Sequence, residues 1–295
     1  MFSRWISLAV IAFTPCLSIA EELPSFALPS TVNVSVSSSS SETQSASIGA
    51  QLMLRKNFWL AGSLDSAKEK TDDFESTTSG GSVSIGSDPL DEYSFEAGVD
   101  GFGVDNQYRV RELRIRGTLA PDSIFELENP GVEIGIEYRI GRFSFSNSPN
   151  IIFNTTEVEL ETRTLHLDAT CNVGRHWTFR AYVERTTLPS AFSDLNRPLA
   201  PLFIPESAIS TAVSWPDDEG GGTIGYNRGR FGIRVGLSQK HAAVSGAVSA
   251  LHSLGIDYRL THKLLIGARS TVSRSLDDTS LDPIQTFGLD LSVQF

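Results

Sequence analysis

The sequence predicts an all-β fold, a single antiparallel up-and-down β-barrel of twelve to fourteen strands that spans a membrane. Three observations predict it. The chain opens with the pattern of an export signal, and no apolar stretch long enough for a membrane-spanning helix follows. Short runs of alternating apolar and polar residues then continue to the last residue. A bilayer is crossed either by helices or by closed barrels, because every backbone polar group inside it must be paired.

The first twenty residues have the order of a secretory signal peptide. One basic residue, Arg4, precedes an apolar run over residues 5–13, and the small-residue ending Ser18-Ile19-Ala20 follows. The run is shorter than the roughly 20 apolar residues that a membrane anchor needs. We therefore expect a cleaved signal peptide, a short N-terminal tail over residues 21–30, and a transmembrane β-barrel domain over residues 31–295.

The last strand alternates without exception. One face carries the apolar residues Phe287, Leu289, Leu291, Val293 and Phe295, and the other face carries polar residues and glycine. An ordinary edge strand can also alternate, but here the chain stops on the aromatic residue. This tail resembles the C-terminal recognition strand that Gram-negative outer-membrane β-barrels present to their assembly machinery. The resemblance covers this strand and the signal peptide, and it identifies a class of barrels rather than one family.

The resemblance implies an integral protein of the bacterial outer membrane. It also implies partners: periplasmic chaperones, the barrel assembly machinery, outer-membrane lipids and lipopolysaccharide. In this class both termini and the short turns are periplasmic, and the longer loops face outward. The tail over residues 21–30 would then be periplasmic.

Composition excludes several classes of site. The net charge of -11 argues against a nucleic-acid partner. Removal of the signal peptide would leave Cys171 as the only cysteine, which excludes an intramolecular disulfide and a cysteine zinc site. The acidic groups near residues 72–75, 217–219 and 277–282 lack the spacing of a calcium loop, so we expect solvated charge there. We expect no metal and no cofactor.

A turn motif recurs along the chain: a basic residue in a short turn, followed by a run that often begins with an aromatic residue. It occurs at residues 54–59, 138–143, 173–177, 226–231 and, more weakly, 260–264. The motif predicts tight hairpin turns, with the aromatic residues in a girdle at the membrane interface. Ordinary hairpins of a soluble sandwich are the alternative. Longer polar segments, which we expect to face outward, occupy residues 66–87, 119–130, 188–207 and 276–283.

The strand count follows from these turns. A first strand near Val32–Ser38, six hairpins and the last strand make fourteen. Residues 143–147 and 222–226 are the weakest strands, and loss of one hairpin gives twelve. Within one strand, the apolar residues have even numbers before Glu112 and odd numbers after it. The same change from even to odd occurs in a later strand near Arg163. A one-residue slip would turn every side chain over, so we predict β-bulges at these two places.

The positions that alternate with the apolar ones are expected to line the interior, where charges are sorted by strand. A bulge at Glu112 would place four arginines of one strand inside, beside glutamates of the next two strands. Opposite charges on neighbouring strands could then form cross-strand pairs. The candidate lumen residues are Arg109, Arg111, Arg114, Arg116, Glu133, Glu137, Glu157, Glu159, Glu161, Arg234, Asp257, Arg259 and Arg269.

A charged interior fits two kinds of barrel, a water-filled pore and a narrow barrel that ion pairs make rigid. We favour a porin-like passive channel for small solutes or ions, because a barrel of this strand number is wide. A barrel hydrolase acting on lipid or peptide, and a non-conducting structural or adhesive barrel, are alternatives. His166 and Asp168 share a strand face and are weak catalytic candidates, because no serine motif accompanies them.

Overall fold

The structure is a computed structural model that describes residues 30–55, 57–71, 74–87, 93–104, 108–120, 132–145, 158–189, 216–242, 245–278 and 280–295. These residues form a closed barrel of 14 antiparallel strands, each paired with its neighbours in sequence. The all-β up-and-down fold is therefore confirmed. The described residues contain no helix that is long and apolar enough to cross a membrane. The proposed signal peptide and the tail to residue 29 lie outside the described residues.

The strands are numbered in chain order. They are β1 (Thr31–Ser39), β2 (Thr43–Arg55), β3 (Phe58–Thr71), β4 (Phe74–Ser87), β5 (Tyr93–Val104), β6 (Tyr108–Leu119), β7 (Val132–Phe145), β8 (Val158–Val173), β9 (Trp177–Thr187), β10 (Pro216–Arg228), β11 (Phe231–Ala242), β12 (Val248–Thr261), β13 (Leu264–Ser275) and β14 (Ile284–Gln294).

The first and last strands close the barrel. β14 pairs with β1 along its length, with Val32 opposite Val293, and the amide of Phe295 donates to the carbonyl of Ser30 at 3.0 Å. Closure gives each described strand a paired neighbour on both sides, so the sheet has no edge strand among the described residues. We call the end of the barrel where β1 begins and β14 ends the terminal rim. The opposite end, where Ser39 leads towards Thr43, is the loop rim.

The outer surface of the barrel is apolar. Cross-strand partners point to the same side of a sheet, and every strand exposes large apolar side chains on its outer side. On β7 the outward residues Ile134, Ile136, Tyr138 and Ile140 form a row about 20 Å long, at about 3.4 Å per residue. A continuous apolar surface of this extent is stable against lipid rather than water.

Aromatic side chains gather on this outer surface near the terminal rim. Trp177 and Tyr226 lie with their ring centroids 4.8 Å apart, and Phe58 and Phe95 lie 6.2 Å apart. Phe231, Tyr258 and Phe295 are exposed at the same end. Amphipathic rings are favoured at the boundary between lipid and water, so this girdle marks one edge of the apolar band.

Four of the five predicted basic turns join strands at the terminal rim, and one prediction was wrong. Residues 138–143 lie inside β7, which continues to Phe145 without a turn. Gly141 is needed there for space, because a Cβ at this position would lie 2.4 Å from Thr162 Oγ1 and 3.1 Å from Glu112 Oε1. A glycine that accommodates its neighbours was therefore misread as a glycine that turns the chain.

The prediction of a long polar loop over residues 66–87 was also wrong. This segment contains the end of β3 and the whole of β4. The two strands pair along their whole length, with Phe58 opposite Ser87 at one end and Thr71 opposite Phe74 at the other. β4 is rich in serine, threonine and glycine, yet Val83 and Ile85 still supply the outward apolar positions. The total of fourteen strands was right because the missed β4 offset the false strand at residues 143–147.

One predicted outward segment joins strands at the wrong rim. β6 ends at Leu119 and β7 begins at Val132, and both positions are at the terminal rim. Residues 121–131 themselves lie outside the described residues. The connections from Thr187 to Pro216 and from Ser275 to Ile284 do join strands at the loop rim, where long segments were predicted.

The two predicted β-bulges are absent from the strands as described. β6 pairs with β5 and β7 in unbroken register through Glu112, and β8 pairs with β7 in unbroken register through Arg163. The pairing of β8 with β9 begins at Arg163 and is also unbroken. The apolar pattern reverses because these strands extend beyond the apolar band. Their outward positions there become charged, while the inward residues Tyr108 and Val110 are buried.

Candidate functional site: the barrel interior

The inner face of the barrel carries most of the predicted lumen residues. The register and the alternation place Arg114, Arg116, Glu133, Glu137, Arg234, Asp257, Arg259 and Arg269 on it. Arg109 and Arg111 are on the outer face instead, together with Leu113 and Ile115, because the predicted bulge is missing. Glu161 is likewise outward and pairs with Arg163 at 2.9 Å. Glu157 lies outside the described residues.

Inward charges concentrate on one side of the barrel, along β5 to β10. We call this surface the charged wall. Its members are Glu96, Asp100, Glu112, Arg114, Arg116, Glu133, Glu137, Arg139, His166, Asp168, Arg180, Glu184 and Glu219. Strands β5 to β9 each contribute at least two of them, because inward positions recur every second residue, and β10 contributes Glu219.

Asp168 is the centre of the charged wall. Its Oδ2 accepts a hydrogen bond from Arg116 Nη2 at 3.0 Å, and its Oδ1 lies 2.8 Å from Arg116 Nη1. Arg180 approaches the same carboxylate at 3.5 Å. The side chain of Asp168 is only 3% exposed. A bidentate pair with a guanidinium is among the strongest ionic contacts in proteins. Asp168 therefore neutralises two arginines that come from β6 and β9.

Gly135 makes the contact between Arg116 and Asp168 possible. Arg116 is on β6 and Asp168 on β8, so the pair reaches across β7 at the position of Gly135. A Cβ on Gly135 would lie 2.5 Å from the guanidinium and 2.5 Å from the carboxylate. The glycine thus keeps the inner surface of β7 free for an ion pair that joins its two neighbours.

His166 bridges two carboxylates. Its Nδ1 is 3.1 Å from Glu184 and its Nε2 is 3.5 Å from Asp168, and the ring stacks on Tyr182 with centroids 5.5 Å apart. A general base needs one ring nitrogen aimed at a nucleophile. In this arrangement both nitrogens face acids, so the pair of His166 and Asp168 serves the ion network and does not have the geometry of a catalytic dyad.

The network extends along the wall through two further arginines. Arg139 bonds Glu184 and also lies 3.0 Å from Glu137. Arg114 lies 2.8 Å from Glu96 and 3.7 Å from Asp100. Tyr182 donates to Glu219 at 2.7 Å. Alternating signs across five strands therefore hold these side chains in fixed positions.

A smaller group of charges occupies β11 to β14. Arg234 bonds Asp257, and Arg269 contacts Asp290 at 2.8 and 3.1 Å. Gly267 separates the two acids, since its Cβ would lie 2.9 Å from Asp257. This group contains the predicted Arg234, Asp257 and Arg269 and adds Asp290.

Uncharged hydroxyl groups line β1 to β4. Inward serines bond one another across the strands, with Ser35–Ser47 and Ser37–Ser45 at 2.7 Å and Ser63–Ser82 at 2.9 Å. We call this surface the hydroxyl wall. The interior is therefore asymmetric, because a charged wall and a hydroxyl wall occupy different arcs of the same barrel.

The interior is wide as well as charged. At a strand spacing of about 4.8 Å and a tilt of about 40°, a round barrel of this strand number has a backbone radius of about 14 Å. Inward side chains on opposite walls cannot fill that width. Arg180 accordingly keeps 33% of its side-chain surface exposed although it faces inward. The packing is tighter towards the loop rim, where Val110 and Phe143 are fully buried.

Sequence reasoning missed Arg139, Arg180, Glu184 and Asp290. Arg139 was assigned to the false turn, although the alternation of Val132 to Ile140 continued through it. The inward arginines and acids of β9 were signalled by the same alternation in Trp177–Thr187. Which of these charges meet could not be read from the sequence, because each pair depends on the register between strands.

Solved structures of bacterial barrels share this fold. The Ralstonia pickettii toluene transporter TbuX superposes with a TM-score of 0.53 at 10% identity, over 91% of this chain and 90% of that one. A bacterial polysaccharide outer membrane secretin gives 0.52 at 10% identity, over 92% and 100%. CdiB from Acinetobacter baumannii gives 0.51 at 11% identity, over 90% and 60%. No protein-family model and no curated protein matches the sequence. The chain thus has the fold of Gram-negative outer-membrane barrels.

Proposed function

We propose that this chain is an outer-membrane channel through which small polar solutes or ions pass passively. The observation that carries the proposal is the opposite polarity of the two barrel surfaces. The outer surface is apolar, and the inner surface is charged, hydroxyl-lined and accessible to water. A barrel that only had to be stable would gain from an apolar interior, whereas a water-filled pore requires polar walls.

The orientation that fits this proposal places the terminal rim in the periplasm. Its described turns are short, and the aromatic girdle lies beside it. The loop rim then faces the outer leaflet and the medium. This is the arrangement of outer-membrane barrels as a class.

The purified barrel should conduct in planar bilayers and prefer cations. Among the described inward residues, carboxylates outnumber basic side chains, and an acidic lumen attracts cations. The acids are Asp65, Glu69, Glu96, Asp100, Glu112, Glu133, Glu137, Asp168, Glu184, Glu219, Asp257 and Asp290, against Arg114, Arg116, Arg139, Arg180, Arg234, Lys240, Arg259 and Arg269. The reversal potential in a KCl gradient measures the preference. A flat current from correctly folded protein would contradict the channel.

Neutralising Glu96 and Asp100 together should move the selectivity towards anions. The double change Glu96→Gln/Asp100→Asn removes both acids that contact Arg114 and leaves that arginine uncompensated on the wall. Glu161→Gln/Asp218→Asn is the matched control, because both acids face outward, beside Arg163 and Arg185, and their loss removes the same charge. An equal shift of the reversal potential in both variants would show that lumen charge does not control the current.

Phe295 should matter for assembly more than for stability. We propose that the outward residues Phe287, Leu289, Leu291, Val293 and Phe295 form the assembly signal that the barrel assembly machinery reads. The side chain of Phe295 is exposed on the outer surface, so Phe295→Ala removes few contacts within the fold. We expect a several-fold lower yield in the outer membrane. Heat-modifiable gel mobility of refolded protein should stay unchanged, and loss of both would point to a structural role instead.

A further inference from the structure

Five arginines form a basic surface on the outside of the barrel near the loop rim. They are Arg109 and Arg111 of β6, Arg142 of β7, Arg163 of β8 and Arg185 of β9, and all five side chains are exposed. We call them the outer arginine cluster. The chain as a whole carries a net charge of -11, so this concentration of positive charge runs against its overall balance.

The cluster lies where the apolar band ends. On β7 the outward row ends at Ile140 and Arg142 follows, and on β9 Val183 is followed by Arg185. On β6 and β8, which run the other way, Arg111 precedes Leu113 and Arg163 precedes Leu165. Each strand thus presents an arginine at the level where lipid tails give way to headgroups.

The pairing of β6 with β7 brings two positive charges of the cluster together, and this contact does not stabilise the fold. Arg111 is directly opposite Arg142 on the outer face, and like charges in that position are destabilising. Two acids moderate part of this charge. Glu161 is directly opposite Arg142 and pairs with Arg163 at 2.9 Å, and Asp218 lies 3.8 Å from Arg185. Even so, Arg163 and Arg185 stay 63% and 81% exposed. The cluster keeps an excess of positive charge that faces away from the lumen.

We propose that the outer arginine cluster binds the phosphorylated sugar headgroup of lipopolysaccharide. Guanidinium groups bind phosphate through two parallel N–H donors. The cluster extends over four neighbouring strands, which is about 14 Å at about 4.8 Å per strand, and therefore suits a headgroup with two phosphates better than a single phosphodiester. This inference rests on the proposed function for its orientation, because that function places the loop rim in the outer leaflet.

Native mass spectrometry of the full barrel in detergent tests the proposal. The probes are bis-phosphorylated lipid A, its dephosphorylated form and phosphatidylglycerol. We expect a retained lipid A adduct, with about tenfold weaker retention in Arg111→Gln/Arg142→Gln. Arg175→Gln/Arg230→Gln is the matched control, since both arginines lie in turns at the terminal rim and their loss removes the same charge. Gel mobility after heating confirms that each variant is folded.

Three results would overturn the inference. These are equal binding of dephosphorylated lipid A, equal binding of phosphatidylglycerol, and equal losses in the two double variants. Conductance recorded on the same preparations keeps this inference separate from the channel. Arg111 and Arg142 face outward, so their replacement should leave the current unchanged. A wild-type barrel that binds lipid A but does not conduct would contradict the channel alone.

Discussion

Replacement of Asp168 by alanine is expected to lower the free energy of unfolding by about 3–5 kcal/mol. The change removes the carboxylate that Arg116 binds twice and that Arg180 and His166 approach. Because Asp168 is almost fully buried, no water takes its place easily, and the arginines are left with uncompensated charge. Urea titration of the barrel in lipid vesicles, followed by tryptophan fluorescence, measures the loss.

Asp290→Ala is the matched control for Asp168→Ala. Asp290 also pairs with an arginine, Arg269, but about a third of each side chain is exposed. Water screens such a pair, so we expect a loss of about 1 kcal/mol or less. Adding Arg116→Met to Asp168→Ala should recover part of the larger loss, since the two residues are coupled. Equal small losses in both single variants would show that burial does not strengthen the central pair.

The sequence predicted the outer surface of this protein better than its inner surface. Lipid-facing positions must be apolar on every strand, so Val132 to Ile140 and Phe287 to Phe295 show clear alternation. Lumen-facing positions obey no such rule, and they are glycine, serine, arginine or glutamate according to their neighbours. β4 has a composition that is typical of a loop. It nevertheless forms a strand, because the closed barrel pairs it with a neighbour on each side.

The errors at residues 112 and 163 have one physical cause. Both predictions assumed that apolar residues face lipid along the whole strand. Near the loop rim this assumption fails, because Val110 is buried inside while Arg111 is exposed outside. The break in the pattern marks the edge of the apolar band, and it is also where the outer arginine cluster begins. A reversal of polarity in a barrel strand thus indicates a boundary in the membrane as readily as a bulge.

Contacts between strands that are not adjacent in the sheet could not be predicted from sequence patterns. Arg116 and Asp168 are 52 residues apart and meet across an intervening strand. Their contact depends on two registers and on a glycine between them. His166 was singled out for its neighbour Asp168, but its closer partner is Glu184 of the next strand. The inner site is therefore a property of the closed barrel rather than of any one segment.

Replacement of Gly135 by alanine is expected to destabilise the barrel by about 2 kcal/mol and to alter its current. The added methyl group would occupy the space between the Arg116 guanidinium and the Asp168 carboxylate, 2.5 Å from each. Arg116 can swing away, but Asp168 has a short side chain and is almost fully buried. The bidentate contact is then lost, and a freed guanidinium extends into the lumen.

Gly117→Ala separates this effect from the general consequence of replacing a strand glycine. Gly117 lies on the outer face of β6, where a Cβ would meet only Ile136, at 4.0 Å. Alanine restricts the unfolded chain more than glycine does, so this control should be neutral or slightly stabilising. Urea titration and single-channel conductance should both distinguish the two variants. If Gly135→Ala unfolds and conducts like Gly117→Ala, the ion pair across β7 neither holds the barrel together nor shapes the path of the ions.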